Sequence, residues 1–358
     1  MSQIIGYIVA FGVLLGGIDK LRGNKWGYGA KFDEAFALLA PTAFSMVGII
    51  CLSPYLSMAL EYGIAPVLRW LKIDPSMIAG VLAIDMGGYQ LAENLADNPI
   101  IGQYAGTVLA ATLGCTLVFT IPVGVGMIEP EDQPAFARGI VIGLFSLPAT
   151  LILGGLLCGL SLFQVLWQNL LPFGMALLCG IGFWKFTRRT LWLFQKYVSI
   201  LQVVLVVGLM LGAIAHLCEL PVSLELVPIL DAMETVASIA IFLLGSLPVT
   251  LLLQRLLGRP FEKLGRRLGL DQNSMMGCLV SCVSPLPTLS MLKQMDFRGK
   301  VMNVAFIVSA TSAIGAHLAF MNTMDPELTF LLLISKVAGG LIAVIPAYFR
   351  SGEGLNTF

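Results

Sequence analysis

Nine stretches of the sequence stay apolar for long enough to cross a lipid bilayer: residues 3–18, 35–58, 103–126, 137–160, 163–183, 197–217, 229–253, 299–322 and 328–349. Inside a bilayer no water bonds to backbone N–H and C=O groups, so runs of this length must close their own hydrogen bonds as helices. Composition agrees: 57% of the residues are hydrophobic and 12% charged, where a soluble domain carries about a quarter charged residues. The sequence therefore predicts an all-α polytopic membrane protein. No positive residue precedes the apolar run 4–18 and no small-residue cleavage site follows it, so it is expected to stay as a span and not to act as a signal peptide. Net charge is zero, with no basic face and no aromatic interleaving, which argues against nucleic acid as a partner.

Two further segments, 74–95 and 272–292, are apolar but interrupted. The first places a lone carboxylate, Asp85, before Gly87-Gly88; the second carries Val283-Ser284-Pro285-Leu286-Pro287-Thr288. Glycine pairs and closely spaced prolines break helices, and broken backbone at membrane depth is tolerated only where protein or a wet cavity satisfies it. The basic linkers at 20–31, 185–196, 255–267 and 293–300 read as cytoplasmic. The linkers at 93–97, 161–163, 219–231 and 325–327 lack Lys and Arg and read as external. All these assignments hold together only if both interrupted segments are re-entrant hairpins, which leaves about nine spanning helices, an external N-terminus and a cytoplasmic C-terminus. Two details strain the scheme: Arg69 and Lys72 fall outside, and the acidic turn 129–132 falls inside.

The sequence also repeats itself. DPSMIAG at 74–80 answers DQNSMMG at 271–277; Pro54 and Pro66 are spaced like Pro248 and Pro260; Glu129-Pro130-Glu131 answers Asp325-Pro326-Glu327. The expected organisation is a first inverted repeat over 1–160 with its hairpin at 74–95, a connecting helix over 161–190, and a second repeat over 191–358 with its hairpin at 272–292. Each repeat would hold two spans, an interfacial helix, the hairpin and two more spans. The odd connecting crossing inverts the second repeat, an architecture of secondary transporters with a site at the midplane.

The candidate substrate-binding residues follow from the two hairpin tips. Asp85, Gly87, Gly88, Tyr89 and Gln90 belong to the first, and Ser284, Pro285 and Thr288 to the second, with Ser284 and Thr288 equally suited to capping the helix beside the break. The spans after each hairpin carry small polar residues in matching places, from which Thr112, Thr311 and Ser312 are expected to line the site. A carboxylate or ammonium in lipid needs a partner or a function. Lys336, in the last span, is expected to pair with Asp85 or with Glu234, and His317 is either a packing residue or a gate. The seven cysteines form no CxxC pair, and no metal site is expected. No nucleophile-with-base constellation, phosphate-cradling glycine loop or HExxH is present, so neither an enzyme nor a cofactor is expected.

Several of these stretches resemble the ethanolamine-utilization permease family of bacteria: DPSMIAG, DMGGY at 85–89, IEP at 128–130, MLKQMDFRGKVMNVAFIVSA at 291–310 and SKVAGG at 335–340. The resemblance covers nearly the whole length and implies a permease carrying a small cationic amine, ethanolamine or a close amino alcohol, across the bacterial inner membrane. Asp85 would be the counter-charge of that amine. The chain departs from the family pattern at Val283–Pro287, where paired asparagines precede an Ile-Pro, and at Ala316, where an Asp precedes the histidine; both changes remove polar groups from expected site positions. A carrier for another small polar solute, an amino acid or a nucleoside, is the competing reading. The order of interfacial helix and hairpin is also similar to the fold of concentrative nucleoside transporters. The expected partners are the substrate and the lipid bilayer, and homo-oligomers are compatible with such a scaffold.

Overall fold

A computed structural model describes residues 2–82, 88–219 and 225–350. Its elements are helical throughout the described residues. In chain order they are α1 (Ser2–Leu21), α2 (Tyr28–Ala37), α3 (Leu39–Gly63), α4 (Ala65–Trp70), α5 (Ser76–Leu82), α6 (Gly88–Leu95), α7 (Pro99–Tyr104), α8 (Ile121–Met127), α9 (Gln133–Leu157), α10 (Leu162–Gln168), α11 (Leu170–Lys185) and α12 (Thr187–Leu217). Then follow α13 (Ile229–Leu268), α14 (Gln272–Ser281), α15 (Pro285–Met291), α16 (Phe297–Ala310), α17 (Ala316–Met324) and α18 (Thr329–Arg350). Among the described residues, 7 helical stretches are long and apolar enough to cross a membrane, or 8 when α10 and α11, bent by 53°, count as one.

The eighth expected crossing, 299–322, is not one helix. It stops at Ala310 and resumes at Ala316. The expected interfacial helix of the second repeat is also absent as a separate element, because α13 runs on for 40 residues through Pro248 and Pro260 to Gly269, whose φ of 67° ends it in the left-handed cap that glycine favours. At 1.5 Å per residue such a helix is about twice as long as the hydrocarbon core is thick, so its basic end, with Arg255 to Arg267, lies beyond the lipid. In the first half, by contrast, α4 is a short separate helix.

Two helix pairs cross at glycines. α1 meets α13 where a Cβ on Gly12 would fall 2.1 Å from the carbonyl oxygen of Gly245; α3 meets α12 where a Cβ on Gly208 would fall 2.1 Å from the carbonyl oxygen of Gly48. Without hydrophobic drive between helices in lipid, close backbone approach at small residues supplies the packing. Around α9, α16 and α18, which pack against one another, the second group of helices assembles.

Each interrupted segment begins and ends at one point. Asp74 Oδ1 accepts hydrogen bonds from Ser76 N (2.9 Å) and Ser76 Oγ (2.6 Å), while its Oδ2 accepts from Asn98 N (2.9 Å), the residue that caps α7. Asp271 repeats the arrangement: its carboxylate accepts from Ser274 N (2.8 Å) and Ser274 Oγ (2.6 Å), and from the N–H of Asp296 (2.7 Å), which caps α16. Burial pushes the Asp271 carboxyl up, but the bonds from Ser274 and Asp296 outweigh it and hold the group below the usual carboxylate range. The end of α10 clasps the first of these points, with Trp167 Nε1 donating to Leu71 O (3.1 Å), Gln168 Nε2 to Lys72 O (3.1 Å), and Asp74 N to Gln168 Oε1 (2.7 Å).

Of the charges that strained the sequence reading, Arg69 and two residues of the acidic turn form ion pairs. Arg69 grips Asp97 through Nε (2.8 Å) and Nη2 (2.9 Å), and Glu61 through Nη1 (2.5 Å). The acidic turn 129–132 faces two lysines: Lys293 reaches Glu129 (3.2 Å) and the largely buried Lys300 reaches Asp132 (2.5 Å).

Candidate functional site

The crossing after each interrupted segment abandons α-helical geometry. In the first, α7 passes into two π-helical stretches, Ala105–Gly114 and Thr116–Thr120, before α8. Such wide turns are rare and recur at functional sites. In the second, residues 311–315 open between α16 and α17, with Ser312 at φ 54°, a conformation that costs a non-glycine residue energy.

The opened segment is stitched to the second interrupted segment. Ser312 N donates to Ser281 O (2.9 Å) and Ile314 N donates to Cys282 O (2.7 Å), so the last carbonyls of α14 take up the N–H groups freed by the break. Gly315 lies so near Val283 that a Cβ would fall 2.0 Å from its carbonyl oxygen. Thus protein, not water, satisfies this broken backbone, as lipid requires.

Lys336 of α18 is fully buried here. Its Nζ donates to the carbonyl oxygen of Ala111 in the first π-helical stretch. One turn along α18, a Cβ on Gly340 would fall 2.6 Å from Ala310, the last residue before the break. The ammonium is therefore held between the two irregular crossings. Thr112, next to Ala111, is buried, and its hydroxyl donates back to Val108 O (2.6 Å). Thr311 is buried too, and its Oγ1 has no hydrogen-bond partner among the described residues.

The first interrupted segment reaches the same place. The Tyr89 ring meets Phe320 edge-on, centroids 6.0 Å apart, and Phe320 lies one turn after the buried His317. Tyr89, Ala111 and Phe320 share one apolar cluster, against which Val283, Ile314 and Ala316 pack. Gly88 is buried at the start of α6, and Gln90 is half-buried. Asp85 and Gly87 lie outside the described residues.

Three expectations change. Glu234 is exposed on α13 while Lys336 is buried, so Glu234 does not supply its counter-charge. The second segment does break, but over a shorter stretch than 283–288: α14 ends at Ser281, and Pro285 and Pro287 both occupy the first turn of α15, where a missing N–H leaves no helical bond unmade. Ser284 caps that turn, its hydroxyl accepting from Leu286 N at 3.4 Å. Thr288 is committed within its own segment, donating to Gly277 O (3.1 Å) and so tying α15 to α14.

Sequence reasoning missed the break at 311–315 and the π-helical stretches. The cluster Thr311-Ser312-Ala313-Ile314-Gly315 was a signal, since small polar residues and a glycine in an apolar run serve open backbone as well as close packing. The acceptor Ala111 O had no signal, because a backbone carbonyl is invisible in the residue identity.

The family model described as ethanolamine utilisation protein, EutH, matches residues 1–349. A protein of Bacillus subtilis named uncharacterized protein YxeR is 36% identical over 352 residues, spanning 97% of this chain and 94% of its own. A protein of Listeria monocytogenes named "probable ethanolamine permease EutH" is 36% identical over 355 residues, 99% of this chain and 95% of its own. One of Salmonella typhimurium with the same name is 32% identical over 387 residues, 96% of this chain and 94% of its own. No solved structure matches the chain. Apolar helices of spanning length and a match across nearly every residue lead to one conclusion: the chain belongs to the ethanolamine utilisation protein EutH family and is a multi-pass protein of the bacterial inner membrane.

Proposed function

We propose that the protein is a secondary permease for ethanolamine, moving by alternating access a core that bears two re-entrant hairpins against a scaffold of α1, α3, α12 and α13. The observation that carries this reading is the meeting of both irregular crossings around the buried ammonium of Lys336. An ammonium on a backbone carbonyl, deep in an apolar wall, marks a place chemically able to receive a primary amine. Ethanolamine, with an amine pKa near that of Lys, about 10, is almost wholly cationic at neutral pH.

In this reading Lys336 occupies the amine position in the empty carrier, and substrate displaces it with Asp85 as counter-charge. Tyr89, Gln90, Thr112, Thr311 and Ser312 offer polar groups for the hydroxyl. The names of the Listeria and Salmonella relatives support the substrate. A ligand of about four heavy atoms at about −1.5 kcal/mol each reaches roughly −6 kcal/mol, so affinity is expected in the tens of micromolar at best.

Support for inverted repeats comes from matched details. Gly48 and Gly245 are separated by the same number of positions as Asp74 and Asp271 and as Gly80 and Gly277, and the α1 with α13 crossing pairs with the α3 with α12 crossing. The adjacent ends of each interrupted segment favour hairpins over full crossings. The departures from the family pattern at Val283–Pro287 and at Ala316, which remove polar groups, favour a second reading, a carrier for another small polar solute such as an amino acid or a nucleoside.

Uptake of labelled ethanolamine into proteoliposomes, with amine and non-amine competitors, tests the proposal. Saturable uptake displaced by short primary amines supports it; uptake displaced only by solutes without a cationic centre transfers the function to the second reading. Counterflow with and without sodium or proton gradients then separates coupled transport from facilitated diffusion.

A further inference from the structure

A cavity of about 730 Å³ opens away from the candidate site, between α9, the junction of α11 with α12, and the end of α18. Its wall is apolar, with Val141, Phe145, Trp184 and Pro346 among the lining residues, and its polar edge carries two guanidinium groups, Arg138 and Arg350. None of the described lining residues is acidic. Phe145 and Trp184 are 49% and 53% exposed, so the groove faces outward. Arg138 Nη2 donates to the carbonyl oxygen of Arg350 at the end of α18, which fixes one guanidinium at the mouth. Lys185 lies over the Trp184 ring, 5.8 Å from its centroid, and Arg188 and Arg189 follow directly. Tryptophan beside clustered Lys and Arg marks the headgroup level, here on the face that the positive-inside rule makes cytoplasmic.

We infer that this groove is a binding site for an anionic phospholipid of the cytoplasmic leaflet. The phosphate lies between Arg138 and Arg350, and an acyl chain runs over Val141, Phe145 and Pro346. Arginine pairs bind phosphate through parallel N–H bonds, and basic pockets between membrane helices select anionic headgroups. A second copy of the chain fits less well, because a two-fold interface sets the same patch against itself and would bring the guanidinium groups of both copies together. The inference depends on the membrane setting alone and not on what the protein carries.

The test uses the full-length protein in phosphatidylcholine liposomes containing brominated phosphatidylglycerol or brominated phosphatidylcholine, whose bromines quench tryptophan on contact. The Trp184 signal is the difference from Trp184→Phe. Preferential quenching by phosphatidylglycerol is expected, falling roughly five-fold for each guanidinium removed in Arg138→Gln and Arg350→Gln. Equal quenching by the two lipids, or a preference indifferent to both substitutions, overturns the site. So does an oligomer in which Trp184 is shielded from either lipid, which gives the groove to a second copy. Should the variants fail to fold, the wild-type preference is measured against salt; it is expected to vanish as the Debye length shrinks from about 10 Å at 0.1 M to about 3 Å at 1 M, and persistence at 1 M counts against a phosphate contact.

Discussion

In the proposed reading, Lys336 is the residue on which the chemistry of the site turns. An ammonium at a bilayer centre costs on the order of 2.5 to 3.5 kcal/mol even on lenient scales, and its burial against a backbone carbonyl recovers part of that. If the lysine stands in for the substrate amine, Lys336→Met leaves the amine position without its resident cation, and the uptake rate is expected to change by at least about ten-fold, a shift of about 1.4 kcal/mol. Unaltered kinetics in proteoliposomes would remove the gating role. Asp85→Asn is expected to abolish amine uptake while the protein still elutes as a folded species in detergent, because a neutral amide offers a cation no counter-charge. Full transport by that variant refutes the assignment of Asp85. The two substitutions differ in kind: one removes a competitor, the other a partner.

At the scale of elements, each interrupted segment depends on one aspartate at its base. Asp271 accepts from two backbone N–H groups and one hydroxyl, serving as the cap of α14 and as the bond that returns the chain to its starting point. Asp271→Ala strips the cap and leaves the Asp296 N–H without its acceptor, at a cost on the order of 2 to 3 kcal/mol. Thermal melts in detergent are expected to show a clear drop; an unchanged midpoint would mean that the base is held by something else. The first segment has an acid-sensitive counterpart. The Arg69 guanidinium holds the Asp97 carboxyl below its usual value of 3.8, and the carboxyls of Asp97 and Glu61 push the guanidinium up. A depressed carboxylate pKa contributes stability that is present above the unfolded value and lost as pH falls through the folded one. The melting difference between wild type and Arg69→Gln is therefore expected at neutral pH and to fade only as pH falls below the usual carboxylate value and through the lower folded one, with salt weakening it because both groups are partly exposed.

The whole molecule combines two groups of helices, both with glycines at their crossings. α1, α3, α12 and α13 form one group, and α9, α16 and α18, which meet at Gly139, Gly143, Gly339 and Gly340, gather around the irregular crossings. If the halves are inverted, the bases of the two interrupted segments face opposite sides of the membrane. Single cysteines at Asn94 and Gln294, both exposed, placed in a Cys218→Ser background, test this with a membrane-impermeant maleimide. Labelling of position 94 from outside and of position 294 only from inside is the expected result. Labelling of both from one side would rule out the inversion.

Much of this architecture was written in the linear order of residues. Span-length apolar runs dictate helices, because lipid offers backbone groups nothing else to bond to, and the answering motifs at Asp74 and Asp271 foretold two like segments whose bases prove to be built alike. The pairing of Arg69 with Asp97 and of Lys300 with Asp132 was hidden, since their partners lie far along the chain and charge counting sees only the sign of a linker. The opening of 299–322, the wide turns around Ala111 and the place of Lys336 between them were decided by tertiary structure alone. A crossing breaks where another segment's free carbonyls, those of Ser281 and Cys282, arrive to accept its N–H groups, and that meeting is set by the packing of distant helices, which residue identity does not encode.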